Sequence, residues 1–148
     1  MSGIWFELIV DTNVALSTVL AQSLSGKAIA LLDSVADGQR IAHVPDLFFA
    51  ELASGLATQV KHPKINLDRT EAVEYLRDIN ALPWVVTPCR QLAGAALEIA
   101  GLHKISSYDA MYVALSERIG VPFVTGDKKL QHNLSNTNYR IVAIDDVL

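Results

Sequence analysis

The chain has 148 residues, the size of one ordinary domain, so it can bury a core of its own. Hydrophobic residues make up 51% and charged residues 19%, at a mean hydropathy of +0.28, which excludes a disordered tail as the description of the whole. With 12 Lys and Arg against 16 Asp and Glu the net charge is -4, so any contact with nucleic acid has to come from local patches or metal ions.

The opening run MSGIWFELIVD has no basic region and puts Glu7 and Asp11 where a signal peptide needs uninterrupted apolar residues. Within it, Trp5 to Val10 predicts the first strand. The uncharged stretch from Thr12 to Gly26 is interleaved with Thr, Asn, Ser and Gln, and its 15 residues fall short of the roughly 18 to 20 apolar residues of a membrane span. The expectation is a cytoplasmic protein without membrane contact. The apolar Thr12 to Leu24 segment is expected to bury itself internally or against a second copy of the chain.

Lys27 to Ala36 carries Ile29, Leu32 and Val35 at spacings of three, which predicts a helix stopped by Gly38. Ile41 to Val44 predicts a second strand, followed by helices over Asp46 to Val60 and Leu67 to Asn80. A third strand, Trp84 to Thr87, leads into helices over Gln91 to Leu102 and Tyr108 to Ile119, the latter ended by Gly120. Pro122 to Thr125 and Arg140 to Ile144 complete the strands, with a short helix expected from Lys128. Strands that alternate with long helices imply crossover connections and a parallel sheet covered on both faces. The expected fold is therefore α/β: one domain over residues 1–148, with a small central parallel β-sheet of four to five strands flanked by helices.

In such sheets ligands bind in the crevice beyond the carboxyl ends of the strands. Asp11 follows the first strand directly, and Asp127 follows Pro122 to Thr125 in the same way. Each is also a good helix N-cap, so position alone does not make either a ligand. Asp109 falls in the first turn of a helix that is apolar almost all round, which screens it from bulk water. Glu51 lies inside a helix with Leu47, Phe48, Ser54 and Gly55 three and four residues away, and no cation is within helical reach. A carboxylate placed there raises its pKa unless a distant cation or a metal compensates it.

If the four acids meet, their charge calls for a hard divalent cation, and an all-oxygen set suits Mg²⁺ or Mn²⁺ better than Zn²⁺. His43, His62, His103 and His132 lack the paired spacing of a zinc site and are assigned surface or structural roles. Cys89, the single cysteine, is read as a small hydrophobe near a helix start.

Three segments, IVDTNVAL at 9–16, PDLFFAELASGL at 45–56 and SSYDAMYVALSERIGVPFVTGDKKL at 106–130, resemble the acidic motifs of PIN-domain nucleases, in particular the VapC-type toxins of bacterial toxin-antitoxin pairs. The likeness runs from about residue 7 to the C-terminus; between residues 61 and 100 it is only a matching order of elements. It implies that Asp11, Glu51, Asp109 and Asp127 are the metal-binding and catalytic acids, with Asn13 and Thr125 orienting carboxylates or water. It further implies a Mg²⁺- or Mn²⁺-dependent endoribonuclease with an RNA substrate, a homodimer, silenced by a cognate antitoxin protein.

The chemistry expected is hydrolysis of a phosphodiester by a metal-activated water, with Asp11, Asp109 and Asp127 holding metal and Glu51 binding a second ion or orienting the water. Substrate contacts are expected from Lys128 and Lys129, with His132 nearby and Lys61, His62 and Lys64 after the Glu51 helix. Two rival readings stand beside this one: a small-molecule phosphatase, which usually wants a second acid where Asn13 stands, and a catalytically weak interaction module whose acidic pocket docks a partner.

Overall fold

The computed structural model describes residues 5–19 and 25–147. Five strands, β1 (Glu7–Val10), β2 (Ile41–Pro45), β3 (Val85–Thr87), β4 (Phe123–Thr125) and β5 (Ile141–Ala143), form one parallel sheet in the order β3-β2-β1-β4-β5. Helices α1 (Thr12–Ser17), α2 (Ser25–Ala36), α3 (Leu47–Lys61), α4 (Arg69–Asn80), α5 (Cys89–His103), α6 (Ser107–Ile119) and α7 (Lys128–Asn133) supply the crossovers, and a 3₁₀ turn at Ile144–Asp146 follows β5.

Central β1 reads ELIV because both of its faces are covered, so a continuous apolar run replaces the alternation of a half-exposed strand. Ile9 and Phe123 face a core made with Phe48, Leu52, Tyr112 and Leu115, while Leu8, Val10 and Val124 face a second one made with Ala28, Leu31 and Val35. The second core rests on α2, so α2 and α3 cover opposite faces. Helix α6 is enclosed along its middle: Ala110 and Tyr112 through Ser116 are all buried. Each large side chain fully buried there contributes about 1.5 to 3 kcal/mol of hydrophobic stabilisation.

Two local features bring the elements to the site. Gly55 on α3 faces Leu16 so closely that a Cβ would sit 2.5 Å from its Cδ1, so only glycine lets α3 approach α1 without moving Leu16. Gly120 ends α6 in the left-handed conformation, φ 70°, and its N–H bonds the Ser116 carbonyl at 2.9 Å. The chain can then turn straight into β4.

The expected elements are present with boundaries shifted by one or two residues at most ends. Helix α5 starts at Cys89 rather than Gln91, because the Asp46 carboxylate, distant in sequence, accepts the Cys89 N–H at 2.9 Å. In the Thr12 to Leu24 segment, Thr12, Val14, Ala15 and Ser17 are buried within the chain itself, and residues 20–24 lie outside the described residues. Among the described residues no helix is long and apolar enough to cross a membrane.

Candidate active site

The strand order reverses at the β1–β4 pair, where the chain has built outward from β1 to one side and resumes on the other. Crossovers that leave in opposite directions open a crevice at the carboxyl ends of these two strands. Asp11 leaves β1 there and Asp127 follows β4.

Asp11 occupies the N-cap position of α1, yet its side chain makes no capping bond. Its Oδ2 instead accepts the Thr125 hydroxyl at 2.7 Å and the Asn13 amide Nδ2 at 3.2 Å. The Thr125 Oγ1 in turn accepts the Asp127 N–H at 3.0 Å, and Asn13 Oδ1 accepts the Gly126 N–H at 3.0 Å. This last bond fixes which way the Asn13 amide points. Thr125 and Asn13 therefore lash the ends of β1 and β4 together around one carboxyl group.

That group is 7% exposed, and burial pushes its pKa up to about 7. The Thr125 hydroxyl opposes the rise, and the charges of Asp109 and Glu51 add to it. Glu51, in the second turn of α3, is raised chiefly by burial, with the charge of Asp109 adding to it. Against this, Tyr112 donates its hydroxyl to Glu51 Oε1 at 2.7 Å and the Thr12 hydroxyl donates to the same oxygen at 3.2 Å. The two hydroxyls are themselves 2.7 Å apart. Asp109 is also raised, first by burial and then by the charge of Asp127, while its own N–H is capped by Ser106 Oγ at 3.0 Å.

Asp127 is a true N-cap, its Oδ1 accepting the Leu130 N–H at 3.0 Å. It shares with Asp109 a pocket of about 310 Å³ also lined by Lys104, Ser106, Lys129 and Asn133.

The four acids thus feel one another as a set. Among the described residues no Lys or Arg nitrogen lies within 4.0 Å of any of them; the ion pairs are Lys27–Asp145 and His43–Glu7. No three of them, nor any other three His, Cys, Asp or Glu among the described residues, converge to the spacing of a metal cage. The donor chemistry nevertheless fits a hard divalent cation: the side-chain donors are all oxygen, none is ion-paired among the described residues, and three of the carboxyls are held above their usual range.

The structure separates the expected substrate lysines. Lys129 lines the Asp109–Asp127 pocket, whereas Lys128 is exposed and outside that lining. Lys61 ends α3 ten residues beyond Glu51, about 15 Å along the helix axis, so the Lys61–Lys64 cluster belongs to another part of the surface. His43 bonds Glu7 at 2.8 Å and His103 bonds Tyr139 at 3.2 Å, both structural uses. Cys89 is half-buried, and burial with the nearby Asp46 carboxylate raises its thiol to about 11, so it stays protonated and inert.

Thr12, Tyr112, Ser106 and Lys104 were not legible as site residues. Only Tyr112 carried a signal, since a tyrosine in the middle of a helix apolar almost all round needs a partner for its hydroxyl.

The family model described as the PIN domain matches residues 8–133. VapC ribonuclease Mb0985 of Mycobacterium bovis is 30% identical over 131 residues, covering 83% of this chain and 87% of its own length. Ribonuclease VapC1 of Mycobacterium tuberculosis is 27% identical over 124 residues, covering 82% and 90%. Among solved structures, PAE2754 from Pyrobaculum aerophilum superimposes with a TM-score of 0.65 at 18% identity, covering 94% of this chain and 84% of its own. VapBC2 from Rickettsia felis, bound to a DNA fragment from its promoter, gives 0.63 at 13% identity, covering 93% and 98%. At these identities the structural likeness is one of fold.

Proposed function

Because the chain belongs to the PIN-domain family and, within it, to the VapC ribonucleases, we propose that it is a metal-dependent endoribonuclease, the toxin of a toxin-antitoxin pair. The observation that carries this reading is Asp11, a buried carboxyl at the sheet's switch point. Its pKa is driven to about 7, two further raised carboxyls stand beside it, and no cation does.

Asp11, Asp109 and Asp127 would hold Mg²⁺ or Mn²⁺, with Glu51 at a second ion or at the attacking water. A divalent ion held there would supply Lewis acidity, polarising phosphoryl oxygens and lowering the pKa of a water, for a hydrolysis that exchanges the bond from phosphorus to the leaving ribose oxygen for one to water oxygen. Thr125 and Asn13 keep Asp11 in one rotamer, so its oxygen is positioned before substrate arrives. Tyr112 and Thr12 do the same for Glu51, and because both donate to Oε1 they leave Oε2 free of these two bonds. Lys129 supplies positive charge beside the acids for the phosphate backbone.

The unit would be one PIN domain over residues 1–148, acting in the cytoplasm as a homodimer and silenced by a cognate antitoxin. The relatives named as VapC ribonucleases support the nuclease, and the likeness to the Rickettsia VapBC2 complex supports the antitoxin partner. Cleavage of total cellular RNA by purified, partner-free protein tests it. Discrete fragments that need Mg²⁺ or Mn²⁺, vanish with a chelator and are missing with Asp109→Asn are expected. No cutting of any RNA while a divalent ion still binds would overturn the nuclease and leave a docking module.

A further inference from the structure

Lys104 stands at the C-cap of α5 with φ 54° and ψ 39°, the left-handed conformation. Among the described residues it is the only non-glycine with positive φ. That position at a helix end is ordinarily taken by glycine, or by asparagine, because a Cβ there crowds the backbone. A lysine has no local hydrogen bond to offset the crowding, so a chain needing only to reverse direction would be better served by glycine. Strain retained in this way is a mark of sites where the side chain has a use.

The turn at Lys104 runs directly into Ile105 and Ser106, the latter capping α6 at Asp109. Lys104 lines the same pocket as Asp109, Asp127 and Lys129. Neither lysine forms an ion pair with the acids among the described residues, so neither serves to neutralise them. Two lysines that line one pocket with a pair of acids suit a polyanion that must approach those acids. Acidic edges repel the phosphates on either side of the one being cut, and cations on the pocket wall offset that repulsion.

We infer that Lys104 is an RNA-binding residue that acts with Lys129, gripping the phosphodiester next to the scissile one. The inference rests on the ribonuclease reading and adds to it a contact outside the acidic motifs. It also makes the strained turn intelligible: stability is given up at Lys104 for affinity.

The test is steady-state cleavage of a short single-stranded oligoribonucleotide over a salt series, with Lys104→Gly, Lys104→Arg and Lys129→Ala beside the wild type, together with thermal unfolding. Lys104→Gly is expected to lower kcat/KM about tenfold, mainly through KM. The slope of log kcat/KM against log salt should flatten by about 0.7, the share of one phosphate contact on a single strand. The same variant should melt about 3 °C higher, since glycine accepts the left-handed turn without strain. Lys104→Arg keeps the charge and should retain most of the affinity.

A rise in melting temperature with unchanged KM and salt slope, in a protein whose wild type cuts the RNA, would overturn this inference alone. A wild type that cuts no RNA would overturn the ribonuclease reading and this one with it. Loss of affinity in Lys104→Gly without loss in Lys129→Ala would remove Lys129 from the pair, and so overturn the inference as stated.

Discussion

Two hydroxyl systems each steady one acid, and each can be removed without disturbing packing. Tyr112→Phe keeps the stacked contact with Phe123, whose ring centroid lies 5.2 Å away, and deletes only the donor to Glu51. It should lower kcat about tenfold for a stability loss near 1 kcal/mol, read by cleavage and urea unfolding. Asp11 gives a prediction of opposite sign. Its folded pKa, about 7, lies above the ordinary value of 3.8, so the native state binds the extra proton between those values. The contribution of Asp11 to the stability of metal-free protein is then full below about pH 4 and is lost as pH rises toward 7, by an amount of order a few kcal/mol. Asp11→Asn should abolish cleavage, raise the stability of metal-free protein at pH 7.5, and flatten the pH dependence measured by urea titration between pH 4 and 7.

Secondary-structure elements act here through their ends. The N-terminus of α6 is fixed by Ser106, whose Oγ accepts the Asp109 N–H, so cap and acid share one turn. Ser106→Ala should cost about 1 kcal/mol, the usual loss for a cap, and lower kcat as well because Asp109 is no longer held at that turn. Melting and cleavage measured together check this; a stability loss with unchanged kcat would make the cap purely structural. α3 reaches the site because Gly55 allows its approach to α1, which sets Glu51 against Thr12. Tyr75 on α4 then donates to the Ala15 carbonyl at 2.5 Å, satisfying an acceptor near the end of α1.

At the scale of the whole molecule, four acids from four separate segments act on one another's charge without an ion pair among the described residues, on a chain of net charge -4. A cation that binds only the folded protein stabilises it by mass action, by about 2.7 kcal/mol at one hundred times its Kd. Mn²⁺ should therefore raise the melting temperature by several degrees. The rise should be larger at pH 8 than at pH 6, because Asp11 must lose its proton before it can coordinate. Asp127→Asn should diminish the shift, which differential scanning fluorimetry measures. The parallel sheet is what brings the four together, since each crossover delivers one acid or its cap to the same edge.

The sequence by itself determined the order of elements and the acids worth suspecting. Periodicity, Gly stops and the FELIV run are local signals that survive folding, and Glu51 stood out because nothing within helical reach could pair it. Boundaries such as the start of α5 were beyond local reach because Asp46, some 43 positions away, supplies the cap. The tertiary structure alone decided that Asp11 turns from its own helix to Thr125 across β4, that Tyr112 and Thr12 share Glu51, and that Lys104 rather than Lys128 stands beside Asp109. The physical reason is the same in each case: hydrogen bonds, desolvation and pocket walls join residues far apart in the chain, and only the sheet's strand order sets which of them meet.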